Sequence, residues 1–392
     1  MMILKTSIVF CFLLVLGKNL FAAGSIGTSG ADFLELGTSP AASAMSEAYS
    51  AEYNDISAVY YNPAVISTIP YRQVYFSHKE LIEDSRLEHL SGIIPLKPGG
   101  TYYGNVYLGQ TLFWVPPFEK TDEFGNDIGD VSFYNSSTMA GYGYSLKNLY
   151  FGITSKYIHQ QIDELVTHSF AADLGVMGVM SLYSPLKTIP ENFSLGLSLL
   201  NMGTTAYDDP LPRRLRLGFS YFLTDWVKIN TDFHESLIES DDIADFTYGF
   251  DESFSINSGI ELNYEKMIFF RAGYALNDGT TYSFGGGFQY AVGRTAFNID
   301  IGLANTPDFG YVYSVSCGVM LVPKITNEDR KNAEYYYMQG IKYYVSGDLN
   351  SAIESLEKAK NYNPYYKDID KKLNEMKEIK RLKDENDSFD YE

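Results

Sequence analysis

Residues Thr281–Val292 read TYSFGGGFQYAV, and this stretch decides the fold. Tyr282, Phe284, Phe288, Tyr290 and Val292 fall on one parity, and Thr281, Ser283, Gly285, Gly287 and Gln289 on the other. Successive strand side chains point to opposite faces, so the segment predicts a strand with one aromatic face and one small, polar face. The pattern repeats in both directions. Leu215, Leu217, Phe219 and Tyr221 alternate with Arg214, Arg216, Gly218 and Ser220, and Val227, Ile229 and Phe233 with Lys228, Asn230 and Asp232. Phe297, Ile299 and Ile301 alternate with Asn298, Asp300 and Gly302. Turn signals such as Asn277-Asp278-Gly279, Gly293-Arg294 and Pro307-Asp308 separate the runs. Between Arg72 and Leu321 about fourteen strands can be placed, most near the ~9–11 residues that cross a bilayer obliquely.

Composition narrows the class. The chain has 392 residues with 33 Tyr, 25 Phe and 33 Gly, and only 20% of it is charged, so it has ample apolar surface to bury and is not a disordered chain. A net charge of -19 excludes a nucleic-acid partner. Two pattern-compatible folds remain, a membrane β-barrel and a soluble β-sandwich. A sandwich would carry Lys and Glu on its solvated outer faces. Here the polar parity is mostly Gly, Ser, Asn and Thr, which suits the lumen of an all-β transmembrane barrel. Aromatic faces would then meet lipid: an arginine at Leu217 or Ile299 should be costly, and one at Ser220 much less so. The stretches Pro116–Asp130 and Glu235–Asp251 are acidic and polar and read as long extracellular loops.

The ends differ from the middle. Residues 1–23 carry Lys5, an unbroken apolar run Ile8–Leu16, and small residues at Ala22 and Ala23, the pattern of a secretory signal peptide. Cys11 lies inside that run and does not suit a lipoprotein site, which leaves Cys317 as a lone, small strand residue. Near Thr326 the composition turns charged and helical. Tyr336, Gly340, Tyr343, Ala352, Leu356, Ala359 and Pro364 stand at the offsets of one tetratricopeptide repeat. Gly347 and Asp348 mark a stop and a restart, and Tyr366–Lys383 would form a third helix. A generic helical hairpin is the alternative.

Residues 27–67, GTSGADFLELGTSPAASAMSEAYSAEYNDISAVYYNPAVIS, resemble the N-terminal region of FadL-like outer-membrane proteins, particularly the PorV/PorQ branch. Phe33-Leu34, Gly37, Met45, Ala48-Tyr49, Asp55 and Asn62-Pro63-Ala64 stand at corresponding places; the family's arginine is replaced by Ala41 or Ala42, and its leucine after the Asn-Pro-Ala by Val65. The resemblance implies a fourteen-stranded barrel plugged by an N-terminal hatch that contains Asn62, Pro63 and Ala64. It implies passage of hydrophobic molecules, typically long-chain fatty acids, across the bacterial outer membrane. The PorV/PorQ branch instead serves protein secretion and surface attachment, the alternative role. The expected organisation is a signal peptide (1–23), a hatch (24–70), a barrel (71–323) and a periplasmic helical module (324–392) that could meet a periplasmic protein partner. Outer-membrane lipid and a hydrophobic ligand are the other expected partners.

No enzyme constellation, cofactor motif or metal-ligand spacing emerges. His78, His89, His159, His168 and His234 are scattered, Gly141-Tyr142-Gly143 lacks the continuation of a nucleotide loop, and the sequons at Asn135 and Asn192 carry no weight in a bacterial-type exported protein. The chemically notable residues are four cations of lumen parity. Arg214, Arg216 and Lys228 on neighbouring strands, with Arg271 further round, could hold the head group of an anionic ligand. The competing reading pairs them with Asp232, Glu261 or Asp300 in structural ion networks.

Overall fold

The computed structural model describes residues 29–97, 102–182, 192–237, 254–276, 280–292, 295–306, 310–321, 327–363 and 369–389. The proposed signal peptide, most of Glu235–Asp251, Pro364, and the turns at Asn277–Gly279, Gly293-Arg294 and Pro307-Asp308 lie outside these residues.

The alternating runs form strands, in the order β1 (Arg72–Glu80), β2 (Arg86–Pro95), β3 (Asn105–Thr121), β4 (Asp127–Leu146), β5 (Leu149–Ile162), β6 (Leu165–Met180) and β7 (Phe193–Gly203). A two-residue pair, β8 (Thr205–Ala206) and β9 (Asp209–Pro210), interrupts them. The series resumes with β10 (Arg214–Phe222), β11 (Val227–Ser236), β12 (Phe254–Tyr264), β13 (Ile268–Leu276), β14 (Thr280–Val292), β15 (Thr295–Thr306) and β16 (Gly310–Leu321). Apart from β8 and β9, each strand pairs antiparallel with its neighbours, and β16 pairs with β1, closing a barrel of fourteen. Arg72 lies opposite Leu321 across that seam, so the chain enters and leaves the barrel at the same rim.

The two parities separate as the pattern predicts. Outward side chains stay exposed, with Phe284 at 58%, Ile301 at 57% and Tyr313 at 60%, while inward Ser220, Ser283 and Ser316 are at most 2% exposed. An apolar outer wall of this extent has lipid as its natural solvent. Cys317 is free and lies on that outer wall. Among the described residues no helix is long and apolar enough to cross a membrane.

One expected loop is corrected. Pro116–Asp130 is largely the continuation of β3 and β4: Phe118 pairs with Val131 and Glu119 with Asp130 after a register shift at Val115/Phe118. Pro116 and Pro117 cannot donate to the ladder, so the strand accommodates them as an irregularity and then resumes pairing.

Residues 29–70 line no part of the wall. They contain a short helix α1 (Pro40–Ser43) and tight 3-10 turns at Asp32–Glu35, Ile56–Tyr60 and Pro63–Thr68. The helix and two of the turns start at polar caps: Ser39 accepts from Ala42 N–H, Asp55 from Ser57 N–H and Asn62 from Ala64 N–H. Met45, Tyr49, Tyr61, Val65 and Ile66 of this segment form one buried cluster with Tyr75, Ile93, Tyr107 and Met177 of the strands.

The remaining helices form a separate compact unit, α2 (Asn327–Val345), α3 (Leu349–Tyr362) and α4 (Ile369–Phe389). Gly347 adopts φ +87°, and the Asp348 carboxylate caps α3 by accepting from Ser351 N–H at 3.0 Å. The helical hairpin closes on small residues. A Cβ on Gly340 would stand 2.8 Å from Leu356, and Ala352, Leu356 and Ala359 are fully buried with Ile369, Leu373 and Met376 of α4. Tyr336 stacks on Tyr362 at 5.6 Å, whereas Tyr343 remains exposed and Tyr337, unremarked in the sequence, is the tyrosine that enters the core.

Candidate functional site

The inside of the barrel is the candidate site, and glycine sets its shape. Lumen-facing glycines recur around the wall because backbone from residues 40–67 lies directly on them. A Cβ at Gly152 (β5) would stand 1.9 Å from the Pro63 carbonyl oxygen, one at Gly175 (β6) 2.2 Å from the Asn62 side-chain oxygen, and one at Gly196 (β7) 2.2 Å from the Ser50 carbonyl oxygen. The belt continues with Gly218 under Ala51, Gly259 and Gly273 under Met45, Gly285 under Ala44 and Gly302 under Pro40. On the other side Gly141 and Gly143 of β4 receive Ile66 and Ser67. These contacts need the missing Cβ rather than a special φ.

Polar groups hang the segment from the wall. Asp232 Oδ2 accepts from the backbone N–H of Tyr49 at 3.1 Å and of Ser50 at 2.9 Å. Ser283 Oγ accepts from Ser46 N–H at 2.8 Å. Ser194 and Ser198 donate to the carbonyls of Ala51 and Tyr61, and Asn105 donates to those of Ile66 and Ile69. Asn62 works in both directions, accepting from Ala64 N–H at 3.0 Å and donating to the Ser50 carbonyl at 2.9 Å. Pro63 fixes the first turn after it, and Ala64 is small enough to be fully buried. Asn62-Pro63-Ala64 is therefore a folded junction seated on the glycines of β5, β6 and β7. At Ser46 and Glu47 the backbone adopts φ +50° and +64°, a left-handed pair that costs conformational energy in residues other than glycine.

The four inward cations do not converge. Arg216 lies opposite His234, whereas Lys228 lies opposite Phe222 six residues further along β10, about 20 Å away at the strand rise. Arg214 and Arg216 sit at one end of the β10–β11 hairpin and Lys228 beside its turn, a separation that shared parity alone conceals. Arg214 pairs with Glu35 at 2.5 Å. The buried Arg216 guanidinium lies 5.0 Å over the Tyr61 ring and donates to His234 Nδ1 at 3.2 Å. Lys228 lies between Glu52 at 2.8 Å and Glu261 at 3.1 Å, and Arg271 bridges Glu261 and Asp300, each at 2.7 Å. The last two cations thus belong to a buried chain, Glu52–Lys228–Glu261–Arg271–Asp300, that ties the segment to β11, β12, β13 and β15. Asp232 carries backbone amides instead of joining it.

Sequence reasoning missed several members of this interior. Glu52 and Glu47 read as ordinary polar residues, yet Glu52 anchors Lys228, and Glu47 receives the Tyr61 hydroxyl and lies 3.6 Å from Lys79. Lys156, 3.0 Å from Asp173, lies 5.4 Å over the Tyr60 ring. The available signal was the parity of Lys156 and Asp173, both lumen-facing in their strands.

Little space remains. One cavity, of about 190 Å³, is lined by Tyr49, Glu52, Gln73, Lys228, Arg271 and Asp300 near the rim where the chain enters. A second, of about 20 Å³, borders Arg214, Arg216 and Gly37. Ligand pockets usually measure ~300–1,000 Å³ and are mostly apolar, so neither cavity has the size or lining of a preformed ligand pocket. No group of three or more His, Cys, Asp or Glu that could hold a metal occurs among the described residues.

No protein-family model matches the chain. Over 42 residues, 11% of the chain, it is 43% identical to an uncharacterised protein of Methanocaldococcus jannaschii; the match covers 49% of that protein, so the chain spans about half the length of the curated relative it matches. Solved structures cover far more. The toluene transporter TbuX of Ralstonia pickettii aligns over 72% of this chain and 97% of its own, with a TM-score of 0.50 at 11% identity. A deletion mutant of the monoaromatic hydrocarbon channel TodX aligns over 73% of this chain and 99% of its own, with a TM-score of 0.51 at 12% identity. These similar structures are a transporter and a channel, and the likeness to them is one of fold, a closed barrel, which in this chain has fourteen antiparallel strands.

Proposed function

We propose that this protein is an outer-membrane barrel for the uptake of hydrophobic molecules, with residues 24–70 acting as a hatch. The observation that supports this most is the way the lumen is closed. A discrete segment, joined to β1 and held by hydrogen bonds and ion pairs, fills a barrel that shares its fold with hydrocarbon channels. A closure of this kind can be withdrawn without breaking the wall. Asn62-Pro63-Ala64 is the junction about which it would move. Long-chain fatty acids are the proposed ligand class, after the sequence resemblance. Arg214 and Arg216, which border the smaller cavity, are the proposed head-group residues, an anionic head taking the place of Glu35 on Arg214; Lys228 and Arg271, each held between two carboxylates, are the proposed structural cations.

The test uses a reversible lock. Ser46 Oγ and Ser283 Oγ lie 2.8 Å apart, so Ser46→Cys/Ser283→Cys in a Cys317→Ser background would cross-link segment and wall. Fatty-acid and toluene uptake by cells should fall on oxidation and recover on reduction. Undiminished uptake by the cross-linked protein would overturn the hatch route.

A second reading, a PorV/PorQ-like adaptor in protein secretion or surface attachment, is favoured by the polar, nearly filled interior. Binding of neither fatty acid nor toluene by the unlocked protein would select it. In either reading we place the helical unit in the periplasm as a tetratricopeptide-like module for a protein partner. Support comes from the buried Ala352, Leu356 and Ala359, from Gly340 at the helix crossing, and from an even strand count that returns the chain to the rim it entered by. Protease treatment of intact cells should spare this unit; its removal would overturn the placement.

A further inference from the structure

Two histidines that are nine residues apart in sequence meet on the outer wall. His159 and His168 are equidistant from the turn between β5 and β6 and lie directly opposite each other in the ladder. Their ring centroids are 5.0 Å apart with the planes tilted by 33°, and the two Nδ1 atoms are 3.3 Å apart. Both rings are on the outward parity, beside Tyr157 and Phe170, three residues from the turn at the end of the barrel opposite the entry rim.

A cross-strand pair of this kind is a ready-made chelate. Zinc bonds imidazole nitrogen at ~2.0–2.1 Å in tetrahedral geometry, so two nitrogens on one ion stand about 3.3 Å apart. The observed separation has that value. The sheet fixes both backbones, so only side-chain freedom is lost on binding. Imidazole favours zinc and copper over calcium and magnesium, which take oxygen ligands. Tyr157 is the only other side chain bonded to either ring among the described residues; its hydroxyl lies 2.9 Å from His168 Nδ1. A metal at that nitrogen would displace the hydroxyl from it.

We propose that His159 and His168 form a two-histidine site for a divalent transition-metal ion, Zn²⁺ or Cu²⁺, clamping the β5–β6 hairpin through both Nδ1 atoms. The site is independent of the lumen and of the hatch.

The test is Cu²⁺ binding to tag-free, full-length protein in detergent, followed by electron paramagnetic resonance and calorimetry. One Cu²⁺ per chain is expected, with hyperfine structure from two nitrogens. His159→Gln and His168→Gln should each weaken binding by at least about tenfold, the lower end of what even an outer-shell partner is worth. Tyr157→Phe should bind at least as tightly as the unchanged protein, because it removes the competing hydroxyl. Zn²⁺ should also protect both histidines of the unmutated protein from diethylpyrocarbonate, a measurement that needs no variant to fold. No binding at millimolar Cu²⁺, equal binding by the His159→Gln/His168→Gln protein, or carbethoxylation unaffected by Zn²⁺ would each overturn the site.

Discussion

The inner and outer faces of the same strands obey different rules. Outside, Phe284, Ile299 and Tyr313 are specified by the medium they meet, and any apolar side chain of roughly similar size would serve. Inside, Gly152, Gly175 and Gly196 are specified by the shape of one backbone laid against them, and no other residue fits. The difference shows that alternation in a barrel can encode two kinds of constraint at once. One parity answers to a solvent and the other to a close-packed partner.

The comparison breaks most visibly at Gly152. Gly152→Val would drive a side chain into the Pro63 carbonyl, so the barrel must eject residues 56–70 or fail to assemble. Loss of heat-modifiable migration, or new protease cleavage within 29–70, should follow, while Ile153→Val on the outer face should show neither. Next comes the buried ion chain. Lys228→Met leaves Glu52 and Glu261 without their shared cation and should cost about 3–5 kcal/mol, read by urea unfolding in phospholipid vesicles. Ile299→Arg should cost about 2–4 kcal/mol in the same assay if that position lies near the bilayer midplane. Smallest of all, Cys317→Ser on the outer wall should change stability by no more than about 0.5 kcal/mol. A large loss there would mean that the outer face is also packed against a partner.

The same contrast explains what could be read from the sequence. Parity predicts the wall: Tyr282, Phe284, Phe288 and Tyr290 point outward as expected, and the strands run from Arg72 to Leu321. Periodicity carries no information about distance along a strand. Arg216 and Lys228 therefore looked like neighbours although they occupy opposite ends of a hairpin, and His159 and His168 looked scattered although a turn brings them together. Nor does parity reveal that the lumen is full. The expectation that an arginine would cost much less at Ser220 than at Leu217 weighed lipid contact alone, but Ser220 is 2% exposed and an arginine there would be overpacked. In the helical unit small residues were informative because helix crossing demands them, while Tyr336 and Tyr337 could not be ranked by spacing alone.

The pairing of Arg72 with Leu321 has a consequence for the order of assembly. The seam joins strands at opposite ends of the barrel sequence, so closure waits until the last strand has taken its place in the sheet, and long-range pairings of this kind form slowly. Residues 63–68 rest on β4, β5 and β6, whereas Pro40–Ser43 rests on β14, β15 and β16. The part of the segment nearest β1 can dock on early strands while the sheet is still open. The part farther from β1 finds its wall only when the last strands arrive. In that order the segment is enclosed from its C-terminal end backwards, and Pro40–Ser43 is buried after residues 63–68.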